Sequence, residues 1–160
     1  MEKIDEFGHD RLLYFDTDSI IFIKRAGDKI KEVGDYLMEM TDEIKSMFGG
    51  HAVCEKFVSL GPKNYGLEVS VNNERKCIIK TKVIRNDGST LNLINIKAMM
   101  EMVKQYINGE QTSKNVAQWK VLSHKYKHFV KSNTFLKLYR VVSEKRRLIG
   151  NDTLPFGYKD

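Results

Sequence analysis

Leu12-Leu13-Tyr14-Phe15-Asp16-Thr17-Asp18-Ser19-Ile20-Ile21-Phe22-Ile23 is the stretch whose reading decides the fold. Two apolar and aromatic runs, 12–15 and 19–23, flank the polar link Asp16-Thr17-Asp18. Runs of this length joined by a tight link predict a β-hairpin buried on at least one face. Asp16 and Asp18 stand two residues apart, so an extended backbone points both carboxylates to the same side. Two like charges held together on a hairpin tip are costly unless a cation neutralises them. Hard oxygen donors suit Mg²⁺, which takes one or two carboxylates and completes its shell with water and phosphate oxygens. Phosphoryl transfer uses that arrangement, one metal activating a hydroxyl and a second stabilising the leaving oxygens. An isolated Asp-x-Asp is also ordinary turn chemistry, because Asp favours turns and tolerates their backbone angles.

Outward from the hairpin, helix and strand signals alternate. Gly27-Asp28 supplies the start of an expected helix, with Ile30, Val33, Leu37, Met40, Ile44 and Met47 at steps of three and four. Gly49-Gly50 is expected to stop it. From Cys54 to Ile84 the pattern turns to strands: 57–60, 65–71 and 77–83, punctuated by Gly61-Pro62 and Asn72-Asn73. A second expected helix has Ser89 or Thr90 as cap, Leu91, Ile94, Ala98, Met102 and Tyr106 along one face, and Gly109 at its end. Leu136 to Val142 reads as a further strand, and Gly150-Asn151-Asp152 as a turn before an apolar tail. The fold class expected is α+β, sheet-rich in its first half.

The 160 residues are one ordinary domain's worth of chain, and 41% hydrophobic with 30% charged residues allows a core and solubility together. Net charge is +6, but residues 1–110 carry 16 basic and 18 acidic side chains, whereas 111–160 carry 11 and 3. The whole positive excess therefore sits in the last third, which favours a polyanionic partner, nucleic acid before membrane. Between Gln111 and Ile149, ten cations (among them Lys114, Lys120, Lys131 and Lys137) face one acid, Glu144. Trp119, Tyr126, Phe129, Phe135 and Tyr139 are interleaved with them. Such a mixture suits a surface tracking a nucleic-acid backbone, and it equally describes a solvated face over core aromatics.

Other chemistries find little support. Cys54 and Cys77 form no Cys-x-x-Cys pattern and read as two buried thiols of a reducing compartment. His124 and His128 stand four apart, as on one helical face, without a third ligand in spacing. Neither a phosphate-binding GxxxxGK[ST] loop nor a GxSxG nucleophile elbow is present. The charged start, Met1-Glu2-Lys3-Ile4-Asp5-Glu6, lacks the apolar core of a signal peptide, and Ile20–Ile23 is far too short to span a bilayer. The expectation is an intracellular chain with no membrane partner, in cytoplasm or nucleus.

Tyr-x-Asp-Thr-Asp-Ser between apolar strands resembles motif C of family B DNA polymerases. The resemblance implies that Asp18 is the principal metal-ligating carboxylate, Asp16 its companion, and Tyr14, Thr17 and Ser19 their framing residues. Downstream, Gly61-Pro62-Lys63-Asn64-Tyr65-Gly66 contains a Lys-x-Tyr element like the one that follows motif C in that family. A cation and a phenol on one face of a strand suit a phosphate and a sugar or base edge. The family uses the pair, here Lys63 and Tyr65, to hold the primer terminus. Leu138-Tyr139-Arg140-Val141-Val142, Glu144-Lys145-Arg146-Arg147 and Thr153 to Tyr158 look like the end of protein-primed polymerases of the Polinton (Maverick) type, within the organellar and viral type B group. The match is loose from Lys80 to Lys137.

The resemblance implies a DNA-directed DNA polymerase transferring nucleotides from dNTPs to a primer on a DNA template, with two Mg²⁺ ions as cofactors. Residues 1–84 would be the carboxyl-terminal portion of a palm, an antiparallel hairpin and sheet with packing helices. Residues 85–160 would be a small basic thumb, with Lys145, Arg146 and Arg147 on the DNA. The motif A carboxylate and motif B lysine that precede motif C in the family are absent from these 160 residues. Half of a metal site cannot align a 3′-hydroxyl with an α-phosphate, so the chain alone is expected to be inactive. Its expected partners are primer–template DNA, dNTP, and a terminal protein or the missing polymerase half. The other reading is a non-catalytic DNA-binding module or a decayed transposon or viral remnant.

Overall fold

Asn72 and Asn73 both take positive φ, 51° and 68°. Two such residues in succession form the hairpin turn whose twist suits its flanking strands, and Asn tolerates that region better than most side chains. They join β4 (Asn64–Val71) to β5 (Glu74–Lys80), while Pro62-Lys63 joins β3 (Val53–Gly61) to β4, giving a sheet of order β3-β4-β5. The computed structural model describes residues 11–16, 19–28, 33, 34, 36, 39–82, 84–124, 126, 128–142, 146–149 and 152–155. Their architecture is α+β, antiparallel sheets with a few helices. The remaining elements are β1 (Leu12–Phe15), β2 (Ile20–Phe22), α1 (Glu43–Phe48), α2 (Gly88–Leu93), α3 (Ile96–Ile107), β6 (Ser113–His124), β7 (Phe129–Arg140), β8 (Arg146–Ile149) and β9 (Asp152–Pro155). The chain packs as two units, Met1–Phe57 with Leu67–Ile78, and Val58–Gly66 with Ile79–Asp160.

In the first unit, β1 and β2 pair antiparallel, and Leu67, Val69 and Val71 of β4 are buried. The long helix expected from Gly27 is not found over its described residues before Glu43. Val33 and Met40 form a parallel bridge, and the Gly34 N–H donates to the Met40 carbonyl at 3.0 Å. Residues 29–32, 35, 37 and 38 lie outside the described set. A new start at Asp42 competes with a continuous helix: its carboxylate accepts the Lys45 N–H at 2.9 Å, the bond that caps α1. Gly49, at φ 87°, ends α1 with its N–H on the Lys45 carbonyl, as its sequence position predicts.

The second unit holds the main core. Leu60 and Met99 are fully buried, and Ile94, Ile96, Met102 and Val116 pack with them. Each such side chain contributes about 1.5–3 kcal/mol by leaving water. The helical region here is two helices, not one. Asp87 caps α2, two residues ahead of the expected Ser89, by accepting from the Thr90 N–H at 2.9 Å and the Ser89 hydroxyl at 2.7 Å. Asn95 starts α3 afresh by accepting the Ala98 N–H at 2.9 Å. The buried face of α3 is therefore Ile96, Met99 and Met102, rotated from the expected Ala98 and Tyr106.

Three close approaches bind β3 and β4 to the rest of this unit. The Tyr139 hydroxyl donates to Asn64 Oδ1 at 2.9 Å, with both residues buried (3% and 4% exposed). The Val142 N–H donates to the Leu60 carbonyl at 2.8 Å. Gly61, at φ 128°, has no room for a Cβ, which would run into the Val142 carbonyl oxygen. Gly66 is similarly confined, its Cβ position lying 3.2 Å from Ile96 Cγ1 and Met99 Sδ.

The basic last third forms one long antiparallel hairpin, Ser113↔Arg140 through His124↔Phe129, where the sequence predicts only a strand over 136–142. His124 thus ends a strand and His128 sits in the tip at φ 48°, so the helical spacing read for them does not apply. Buried Gln118 anchors the base: Oε1 accepts the Arg85 N–H at 2.7 Å and Nε2 donates to Thr90 Oγ1 at 3.2 Å. Tyr139→Phe is expected to lower the free energy of unfolding by about 1–3 kcal/mol in urea melts, because it strands a buried carbonyl oxygen. Adding Asn64→Leu to that variant should recover some of the loss.

Candidate functional site

Asp16 follows β1 directly and Ser19 precedes β2, so Asp16-Thr17-Asp18-Ser19 forms the link of the first hairpin. The Asp16 N–H donates to the Ser19 carbonyl at 2.9 Å and closes it. Pairing runs Phe15↔Ile20, Tyr14↔Ile21 and Leu12↔Phe22, leaving Leu13 as an irregularity that lets Leu12 and Tyr14 meet consecutive partners. Leu12 and Tyr14 are half-buried, whereas Leu13 and Phe15 are exposed, so burial of the first strand is partial on one face. The Tyr14 ring packs against Phe57, centroids 6.4 Å apart and planes tilted by 55°. Thr17 and Asp18, and with Asp18 the principal expected metal ligand, lie outside the described residues.

The base of this hairpin carries a clamp in place of the expected helix start. The Ile23 N–H donates to the Arg11 carbonyl at 2.9 Å, and Arg11 Nη1 donates to Asp28 Oδ2 at 2.6 Å. The same oxygen accepts the Arg25 N–H at 2.8 Å. The Asp28 carboxylate thereby ties the segments entering and leaving the hairpin. The Arg25 backbone bond, with the Arg11 guanidinium beside it, holds the Asp28 carboxyl below the usual carboxylate range. The signal available in sequence is a charge pair, Arg11 and Asp28, flanking the apolar runs.

Lys63 and Tyr65 do not share a strand face in the expected way. Lys63 belongs to the turn, exposed and at φ 56°, and β4 begins only at Asn64. A left-handed turn residue breaks the two-residue alternation on which the strand-face expectation depends. Asn64 between them is the buried partner of Tyr139, whose phenol burial pushes well above its ordinary pKa, so it remains a donor. Tyr65 is half-buried. Arg146 and Arg147 lie in β8, opposite Pro155 and Leu154, and Lys145 falls outside the described residues.

The β6–β7 register sorts the basic third into two faces. Lys114, Lys120, Lys131 and Lys137 alternate onto one face, with buried Val116, Gln118 and Tyr139 at its base. Lys114 Nζ donates to the Leu93 carbonyl at 3.2 Å, and Lys137 lies 5.5 Å from the Phe135 ring, so these two are engaged at the base. Lys120 and Lys131 are exposed beyond it. The aromatics divide likewise: Tyr139 is core, Phe135 half-buried, and Trp119, Tyr126 and Phe129 exposed. Such a strip can meet a phosphate backbone through its two outer lysines.

For a metal, the donor chemistry of the first hairpin fits Mg²⁺: hard carboxylate oxygens on a short link, with Asp16 and Asp18 as the residues that would hold it. Among the described residues no group of three His, Cys, Asp or Glu side chains gathers for such a purpose, and Asp18 is not among them. Also among the described residues, no helix is long and apolar enough to cross a membrane. Cys54 and Cys77 are free thiols, Cys77 exposed where the sequence predicts a buried one. In comparison with known proteins, the chain matches no family model, no curated protein and no solved structure.

The clamp gives a pH expectation. A carboxyl whose folded pKa is depressed adds stability above its unfolded value and loses it as pH falls through the lower folded value. Thermal melts of the wild type should therefore fall on acidification below the ordinary Asp range, about pH 4. Asp28→Asn should melt lower at neutral pH and show a shallower acid limb.

Proposed function

We propose that this chain is the carboxyl-terminal palm and thumb portion of a family B, protein-primed DNA polymerase. The observation that supports the reading is the antiparallel β1–β2 hairpin with Asp16-Thr17-Asp18-Ser19 as its link. In this reading Asp16 and Asp18 hold Mg²⁺, with Tyr14, Thr17 and Ser19 shaping the link. Bound metal supplies charge neutralisation at the transferred phosphate and a more acidic primer hydroxyl. Lys63 and Tyr65 hold the primer terminus, and the cationic strip of β6–β7, with Lys145, Arg146 and Arg147, grips the duplex through its phosphates. The dNTP, the primer–template and a segment bearing a motif A carboxylate and a motif B lysine complete the site; a terminal protein would serve for priming.

The expected test is primer extension after supplying a polymerase segment with motifs A and B. Extension should then depend on Mg²⁺, and Asp18→Asn should reduce it at least 100-fold, about 3 kcal/mol of transition-state stabilisation. Full activity in that variant contradicts the metal-ligand assignment.

A second reading, a DNA-binding module without chemistry, is favoured by the gathering of Lys120 and Lys131 on one exposed face. Duplex affinity should fall steeply between low and moderate salt, and Lys120→Ala with Lys131→Ala should flatten the log–log slope by up to about 2. Affinity insensitive to salt contradicts both readings of this hairpin.

A further inference from the structure

Lys63 stands where local preference would place another residue. Pro62 followed by a residue at positive φ, here Lys63 at 56°, is the pattern of a type II turn, whose second central position favours glycine or asparagine. Type II is also the hand that splays hairpin strands instead of matching their twist. The turn between β4 and β5 follows the local rule, with Asn72 and Asn73 at its left-handed positions. Between β3 and β4 a lysine takes that conformation, and short-range propensity does not account for it. Backbone strain of this kind persists only where the surrounding structure imposes it, and it gathers at functional sites.

The end of β7 imposes it here. The Tyr139 hydroxyl donates at 2.9 Å to Oδ1 of Asn64, the residue after Lys63. The Val142 N–H donates to the Leu60 carbonyl at 2.8 Å, just ahead of the turn. Gly61, at φ 128°, leaves no room for a Cβ beside the Val142 carbonyl. All of these residues belong to one packing unit. Both sides of the turn are thus held from the same end of β7, while Lys63 itself is exposed. The Tyr139–Asn64 bond is made by two side chains, so loss of one hydroxyl removes it.

We propose that Tyr139 is a positioning residue: through Asn64 it holds the β3–β4 turn so that the Lys63 ammonium meets a phosphate of the primer strand. The proposal rests on the polymerase reading for the ligand of Lys63 and adds the group that presents that lysine. A lysine's flexible stem can reach a phosphate from many backbone positions, and a fixed turn reduces the ordering entropy lost in doing so. Tyr139 stands opposite Lys114 at the base of the β6–β7 hairpin. The element assigned to grip the duplex therefore also fixes the turn that meets the primer.

Salt dependence separates positioning from stability, because each phosphate neutralised adds about 0.9 to the log–log slope of duplex affinity against salt. Fluorescence anisotropy of a labelled primer–template duplex with the full chain reads that slope, at a temperature where the variants are folded. Lys63→Ala should lower it by about 1, and Tyr139→Phe, which removes no charge, should lower it equally. The two together should lower it no further. Tyr139→Phe with Asn64→Leu should regain stability without regaining the slope, and it carries the test if Tyr139→Phe alone does not fold. In urea melts Lys63→Gly should unfold later than Lys63→Ala, since glycine relieves the left-handed strain. A full slope in the Tyr139 variants, with Lys63→Ala reduced, overturns the positioning role and leaves the primer reading standing. A further fall in the Lys63→Ala, Tyr139→Phe pair also overturns it, because Tyr139 would then act elsewhere than through Lys63. An unchanged slope in Lys63→Ala overturns the primer reading and the proposal together. Lys63→Gly unfolding no later than Lys63→Ala contradicts an imposed turn and overturns the proposal alone.

Discussion

The hydrogen bond from the Tyr139 hydroxyl to Asn64 Oδ1, buried at both ends, is the constraint around which the second unit is organised. It joins residues 75 positions apart, the start of β4 and the end of the long basic hairpin. On either side of it the backbone comes too close for larger residues, at Gly61 against Val142 and at Gly66 against α3. An unpaired amide oxygen in that place would cost more than the bond contributes, so the pair acts as a lock on the register of these segments. Gln118 has a related role in the same unit, satisfying the Arg85 N–H and Thr90 with a single side chain.

This constraint changes the meaning of Gly61-Pro62-Lys63-Asn64-Tyr65-Gly66. Gly61, Asn64 and Gly66 have structural reasons for their identity: close approach at the two glycines and a buried bond at the asparagine. Lys63 and Tyr65 are the members to which the proposed function gives a ligand. A motif read as a unit from sequence is thus a scaffold of three residues presenting two others.

Legibility from sequence followed the range of the interactions. Local rules located the β1–β2 hairpin, the Asn72-Asn73 turn, the strands of the β3-β4-β5 sheet and the glycine stop at Gly49, because each depends on neighbours a few residues apart. Helix starts were displaced where a side chain's own bond outweighed hydrophobic periodicity, as at Asp42, Asp87 and Asn95. The β6–β7 hairpin was hidden because its lysines and aromatics alternate without a clear apolar period, and only pairing shows that Lys114, Lys120, Lys131 and Lys137 share one face. At the candidate site, the carboxylates and their link were readable as a pattern. The Arg11–Asp28–Arg25 clamp beneath them was not, since it depends on a tertiary approach across 17 residues.

The proposed function turns on a divalent cation binding at the link between β1 and β2. Paramagnetic broadening of amide signals by Mn²⁺, a hard cation that carboxylates also favour, reads that directly on the intact chain. The expected result is broadening centred on Phe15 to Ile20 at low metal concentration, competed by Mg²⁺ and abolished in Asp18→Asn. Uniform weak broadening, or a focus elsewhere that Asp18→Asn leaves unchanged, would contradict it.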